Sequence, residues 1–210
     1  MTSSTRSCRS SGTVVGLIGL PCSGKSTLRK YLEELGAVAV DADQIVRKLY
    51  EDEQVKREVA ALLGTQVVRP DGTVDRTAIA ERVFRDPSLL KALTSQIIYP
   101  RTGKVLRARI AAFRSNSQPG DVLVLDAPTL LEAGRRDLVD KLIWVEAPEA
   151  RRTEWAARRG WNREQLKQRE AAMLPADQKR ALADFVINNA GTLEELREQA
   201  RRIWQHLHST

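Results

Sequence analysis

The sequence predicts an α/β fold: a doubly wound, five-stranded parallel sheet with a phosphate-binding loop, a helical substrate-binding insert and a lid. Three observations carry that expectation. The apolar run Val14-Val15-Gly16-Leu17-Ile18 leads straight into Gly19-Leu20-Pro21-Cys22-Ser23-Gly24-Lys25-Ser26-Thr27. Apolar strand runs then alternate with helical periodicity along the chain. Residues 44–115, by contrast, hold no strand run of that quality, a stretch far longer than a minimal crossover between parallel strands.

Residues 1–12, MTSSTRSCRSSG, are almost free of apolar side chains and are expected to be disordered. Residues 14–19 read as a buried strand, β-branched and nearly continuous. Residues 25–35 read as a helix, with Leu28, Tyr31, Leu32 and Leu35 on one face and Gly36 closing it. Residues 37–40 form a second strand ending at Asp41-Ala42-Asp43, so a right-handed βαβ unit is expected. Helices follow at 44–50, 53–63, 76–84 and 86–114, the last interrupted near Pro100, with Gly64 and Arg69-Pro70-Asp71-Gly72 as turns. Asp-Val-Leu-Val-Leu-Asp at 121–126 is a third strand and Lys-Leu-Ile-Trp-Val-Glu at 141–146 a fourth, with a short helix over 132–139 between them. Residues 148–159 and 162–173 read as helices broken at Gly160, and 184–188 as a fifth strand. The final helix starts at Thr192, where Thr-Leu-Glu-Glu supplies a capping box to Glu195.

Size and composition suit one domain with a sizeable core and exclude several classes. The 210 residues are 42% hydrophobic and 29% charged, ordinary for a globular protein. No apolar stretch approaches the roughly 20 residues that a membrane helix needs. The first residues carry Arg6 and Arg9 but no apolar core of a secretory signal. The two cysteines, Cys8 and Cys22, argue against a structural disulfide and for a reducing, cytoplasmic setting. The net charge of +7 suits polyanionic partners, from small phosphorylated molecules to nucleic acid. Its densest segment, 151–169, reads mostly as a solvated helix face.

The loop has the spacing Gly, four residues, Gly-Lys-Ser. Curled backbone places successive N–H groups in one concavity, and the following helix adds its positive end. Gly19, Pro21, Cys22, Ser23, Gly24, Lys25, Ser26 and Thr27 are therefore expected around the phosphates of a nucleotide. Lys25 would reach the β- and γ-phosphates and the Ser26 hydroxyl a Mg²⁺ ion. Ligands of such sheets sit at the carboxyl ends of the strands. Asp43 is the candidate to take a proton from an acceptor hydroxyl, or else it caps the helix after the second strand. Asp126 is a candidate Mg²⁺ ligand, or a turn residue. Arg158 and Arg159, where a helix breaks at Gly160, lie where lid arginines would serve, or on the surface. Trp155 and Trp161 read as packing, with a ligand ring as a second role. Cys22, among loop amides and near Lys25, meets conditions that lower a thiol pKa, although a tolerated filler is the simpler reading.

Beyond these local readings, the loop, Val40-Asp41-Ala42-Asp43-Gln44-Ile45, Val83-Phe84 with Asp86-Pro87, Pro128-Thr129-Leu130-Leu131-Glu132 and the closing segment 183–196 together resemble the dephospho-CoA kinase family of P-loop kinases. The resemblance spans about residues 14–207 and is most specific at Asp-Ala-Asp and in the closing segment. It implies transfer of the ATP γ-phosphate to the ribose 3′-hydroxyl of dephospho-CoA, the last step of coenzyme A synthesis. It implies a nucleotide core (13–43, 116–147 and 183–210), an acceptor domain (44–115) and a lid (148–182). Asp43 falls on the catalytic aspartate, Arg158 on the lid arginine, and Asn189 and Gly191 near the adenine-binding turn. ATP and Mg²⁺ are the implied cofactors and dephospho-CoA the partner, with no nucleic acid or membrane expected.

Some positions depart from the family pattern. Leu20-Pro21-Cys22 stands where Gly-Ile-Gly is usual, and Pro21 removes one amide from the cradle. Tyr99 precedes Pro100 in place of His, Thr129 replaces an apolar residue, and Glu154, Asn188 and Met173 replace Arg, Asp and Gln. Most of these changes touch the acceptor and lid regions. Competing readings are another small-molecule kinase of this fold, for a nucleoside, sugar or small acid, and a non-catalytic binder of nucleotide or nucleic acid.

Overall fold

The computed structural model describes residues 12–208. The disorder expected at the N-terminus and the setting of Cys8 fall on residues 1–11, outside the described part. Five parallel strands form one sheet: β1 (Thr13–Gly19), β2 (Val38–Asp41), β3 (Val122–Asp126), β4 (Lys141–Glu146) and β5 (Phe185–Asn188), in the order β2-β3-β1-β4-β5. The α/β class and the doubly wound parallel sheet are as the sequence predicts. The two strands of the first βαβ unit are parallel as expected but not adjacent, because β3 inserts between β1 and β2. Burial explains the order. All five residues of β3 are buried, whereas Val38 of β2 is 56% exposed and suits an edge.

Helix α1 (Lys25–Glu34) and the C-terminal α10 (Leu193–His208) cover one face of the sheet, with Leu28, Leu32, Leu196, Ala200 and Ile203 in that core. The capping box at Thr192 forms as expected: Glu195 N donates to Thr192 Oγ1 at 3.2 Å and Thr192 N to Glu195 Oε2 at 3.0 Å. The opposite face packs under α6 (Tyr99–Asn116) through Leu106 and Ile110.

Residues 42–116 form α2 (Ala42–Leu49), α3 (Glu53–Leu63), α4 (Arg76–Arg85), α5 (Pro87–Ala92) and α6. Val55, Val59, Leu63, Ile79, Val83, Leu93 and Ile97 give this insert a hydrophobic core of its own. The expected interruption near Pro100 is a π-helical turn, Leu93–Ile98, which lets the chain pass the proline without a break. The Tyr99 carbonyl there accepts a hydrogen bond from Arg135 Nη2, which also donates to Thr102 Oγ1 at 3.0 Å.

After β4 come α7 (Glu149–Ala157), α8 (Arg163–Ala171) and α9 (Ala176–Ala181). Asn162 and Gln165 close a capping box at the start of α8. Two expectations change. Residues 132–139 are turns with a short 3₁₀ segment, Arg136–Leu138, because Gly134 takes φ +65° and ends any helix there. Helix α9 was not foreseen, and its single charged turn after Pro175 offers little periodicity to read. Among the described residues no helix is long and apolar enough to cross a membrane.

Candidate active site

A cavity of about 700 Å³ opens at the carboxyl ends of β1, β2 and β3, between the sheet, the insert and helices α7–α8. Pro21, Cys22, Ser23, Gly24, Lys25 and Ser26 line its floor. Gly24 has φ +95° and Cys22 φ +60°, the one non-glycine at positive φ among the described residues. Both bends curl the loop. Gly19 and Thr27 do not line the cavity. Gly19 offers its carbonyl to Lys25 Nζ at 3.1 Å, and Thr27 N donates to the Gly24 carbonyl at 3.0 Å in the first turn of α1.

Lys25 Nζ donates also to the Leu20 carbonyl at 3.0 Å. The side chain is buried, and loss of water pushes its pKa down to about 8 against the pull of Asp126 and Asp43. Asn189 acts as a strut. It is buried, and its Nδ2 donates to the Ser23 carbonyl at 2.9 Å. A Cβ on Gly24 would lie 2.0 Å from that Nδ2, so only glycine fits. Gly191 lies outside the cavity lining and accepts from Arg151.

The parallel register sets Asp41 of β2 beside Asp126 of β3. Asp41, not Asp43, caps α2: its Oδ1 accepts from Asp43 N at 2.9 Å and Gln44 N at 3.1 Å. The capping alternative for Asp43 is thereby removed, and its carboxylate faces the cavity. Asp43 is open to water there yet crowded by protein, and burial and the Asp41 charge raise its pKa. Asp126 is buried, and desolvation lifts it to about 6 despite attraction to Lys25. Arg29 ties the two strand ends together. Its Nη1 lies 2.8 Å from Asp41 Oδ2 and its Nε 3.8 Å from Asp126 Oδ2.

The opposite wall comes from α7–α8 and the insert. Arg158 is not part of it: its side chain is 69% exposed and pairs with Glu154 one helical turn back. Its neighbour Arg159, with Trp161, Arg169 and Met173, lines the cavity instead. Trp155 stays outside the lining and packs beside Cys22, Ala156 and Leu166. Burial in that cluster raises the Cys22 pKa, which overturns the activated-thiol reading and leaves the filler. Tyr99 and Thr129 share a side of the cavity with Glu132. Behind them Lys179, fully buried, donates to Glu132 Oε1 at 2.7 Å and to the Pro128 carbonyl at 2.8 Å.

Arg29, Arg169 and Lys179 were not foreseen, whereas Arg159 is the one of the two candidate arginines before Gly160 that lines the cavity. Lys179 sits in a charged run that reads as surface, and nothing local marks it. Arg29 had a readable signal, one turn after Lys25 on the same helix. Among the described residues no cluster of three His, Cys, Asp or Glu could hold a metal by itself. The oxygen donors Ser26 and Asp126 in one cavity fit a hard cation that keeps waters and phosphate oxygens as its remaining ligands.

The comparisons agree with this geometry. The family model for dephospho-CoA kinase matches residues 13–195. A dephospho-CoA kinase of Rhodopirellula baltica is 38% identical over 187 residues, covering 88% of this chain and 86% of the relative. That of Geobacter metallireducens is 38% identical over 198 residues, covering 91% and 95%. A solved Thermus thermophilus structure superposes with TM-score 0.75 at 29% identity, covering 94% of this chain and 98% of that one. The dephospho-CoA kinase of Campylobacter jejuni has the same fold, with TM-score 0.62 at 19% identity over 95% and 99% of the two chains. A P-loop cradle, paired aspartates at the strand ends and likeness over nearly the whole length lead to one assignment: the chain belongs to the dephospho-CoA kinase family.

Proposed function

We propose that the protein transfers the γ-phosphoryl group of ATP to the ribose 3′-hydroxyl of dephospho-CoA, giving coenzyme A and ADP. The observation that carries this reading is the shared cavity, which holds Lys25 and Ser26 at one end, Asp43 beside them and the insert facing both. In this reading residues 13–43, 116–147 and 183–210 hold the nucleotide, 44–115 the acceptor and 148–182 the lid.

Asp43 takes the proton of the 3′-hydroxyl as its oxygen bonds to the γ-phosphorus and the bond to the β–γ bridging oxygen breaks. Its pKa, raised by burial and by the Asp41 charge, makes it a stronger base than an ordinary carboxylate. Lys25 leaves its two carbonyls for the phosphates, where added negative charge restores its full protonation. Arg159 and Arg169 face the charge that develops on the transferred group, and Arg158 stays in solvent. Ser26 and Asp126 would hold Mg²⁺, which when bound neutralises the β- and γ-oxygens.

Release of ADP is measured with dephospho-CoA and with a panel of nucleosides and sugars. Turnover with dephospho-CoA far above the panel is expected. Preference for any panel member would overturn the acceptor.

A further inference from the structure

Arg169 of α8 is held in an unusual way. Its Cζ lies over two aromatic rings, 4.1 Å from the Trp161 centroid and 4.7 Å from that of Phe84. Its Nη1 donates to the Gln165 carbonyl at 3.0 Å, and no carboxylate pairs with it among the described residues. The acids nearby are engaged elsewhere, Glu170 with Arg152 and Glu149 with Arg163. Ring faces hold a guanidinium without consuming its N–H fork, whereas a carboxylate would occupy that fork. The remaining donors of Arg169 are therefore kept for an anion in the cavity that it lines.

The two rings belong to different parts of the molecule. Trp161 follows α7 and precedes the helix that carries Arg169. Phe84 stands near the end of α4 and packs on the core of the insert. It meets the guanidinium where α4 and α8 come together at the cavity edge, so the position of the insert bears directly on that of Arg169.

We propose that Phe84 is a positioning residue for phosphoryl transfer: from the acceptor lobe it aims the lid's Arg169 at the transferring phosphate. This rests on the reading under Proposed function. Arg169 touches the substrate anion and Phe84 acts only through it. Occupancy of the acceptor lobe then places a phosphate-binding cation, and an empty lobe leaves it less well aimed.

The test is steady-state kinetics with ATP and dephospho-CoA on Phe84→Leu, Phe84→Tyr, Arg169→Ala and the double variant Phe84→Leu/Arg169→Ala. Circular dichroism first establishes that each is folded, and Phe84→Met replaces the Leu variant if that one does not fold. Phe84→Leu is expected to lower kcat about tenfold with KM for ATP within about twofold, because only a ring face is lost. Phe84→Tyr, which restores the face, should return kcat to within about twofold of wild type. Arg169→Ala should cost about a hundredfold in wild type but only about tenfold on the Phe84→Leu background, since the two act as one unit. Wild-type kcat in Phe84→Leu, failure of Phe84→Tyr to rescue, or additive losses would each overturn the role of Phe84 and leave the activity standing. Absence of wild-type turnover with dephospho-CoA would overturn the functional reading and this inference with it.

Discussion

The two walls of the cavity bind anions by different means. On the sheet side the cations are engaged before any ligand arrives. Lys25 is held by two carbonyls and Arg29 by Asp41, and both are largely buried. On the α7–α8 side Arg159 and Arg169 meet aromatic rings and, among the described residues, no carboxylate. The first wall is held in place by its own partners, and the lowered pKa of Lys25 is relieved by the charge of an anionic ligand. The second depends on long side chains that packing from two elements must aim. A lost cation on the first wall removes binding and chemistry together, whereas a misaimed cation on the second slows chemistry alone.

The largest effects should come from breaking the first wall. Lys25→Ala is expected to lose both ATP binding and transfer. Asp43→Asn should keep affinity for a non-hydrolysable ATP analogue and lose about 10²–10⁴-fold in kcat, the usual weight of a general base. Calorimetric titration and ADP release separate the two outcomes, and an active Asp43→Asn enzyme would remove its assigned role.

Next comes the second wall. Arg159→Ala should lower kcat by about 10²-fold, whereas Arg158→Ala should stay within about twofold, since its side chain pairs with Glu154 in solvent. The reverse order, measured under the same saturating conditions, would return the lid role to Arg158.

A smaller effect sharpens what preorganisation costs. Lys25 has a folded pKa of about 8 against 10.5 for a free lysine. Between those values the unfolded chain binds the extra proton, so the lysine's contribution to stability rises with pH. It is unfavourable at pH 7 and relieved through pH 8–10.5. Relative to Lys25→Met, the wild-type protein should therefore gain about 2.5 kcal/mol between pH 7 and 10 in urea unfolding. A pH-independent difference would show that the ammonium is not desolvated.

The smallest concerns the loop backbone. Cys22 occupies φ +60°, which costs an L-residue about 1–2 kcal/mol, but it also fills a small core with Ala156 and Leu166. Cys22→Gly should thus change stability by less than about 1 kcal/mol, while a β-branched Val there should destabilise more. Chemical denaturation of the two variants checks this.

Much of the fold was legible because its signals are local. Helix 53–63 and strand 141–146 appear with the expected bounds, since apolar spacing and flanking turns define them. The short helix expected at 132–139 failed against one glycine at positive φ, which periodicity cannot reveal. The site was legible at the loop and less so beyond it. Asp43 could be read as a base or a cap, and only the capping hydrogen bonds to Asp41 separate the two. Arg158 and Arg159 look equivalent in sequence. Both lie just past the end of α7, and only the turn that closes on Gly160 sets Arg159 into the cavity lining and leaves Arg158 paired with Glu154 in solvent.

The sequence by itself determined the α/β class, the phosphate cradle and the long helical insert, because each follows from contacts within a few residues or from a continuous pattern. Tertiary structure decided the rest. It placed β3 between β1 and β2, set Asp41 against Asp126 through that register, and buried Lys179 against Glu132. It also brought Phe84 of the insert onto Arg169 of α8. The physical reason is range: strand order and side-chain pairing depend on burial shared between distant segments, and no local spacing encodes which partner closes the gap.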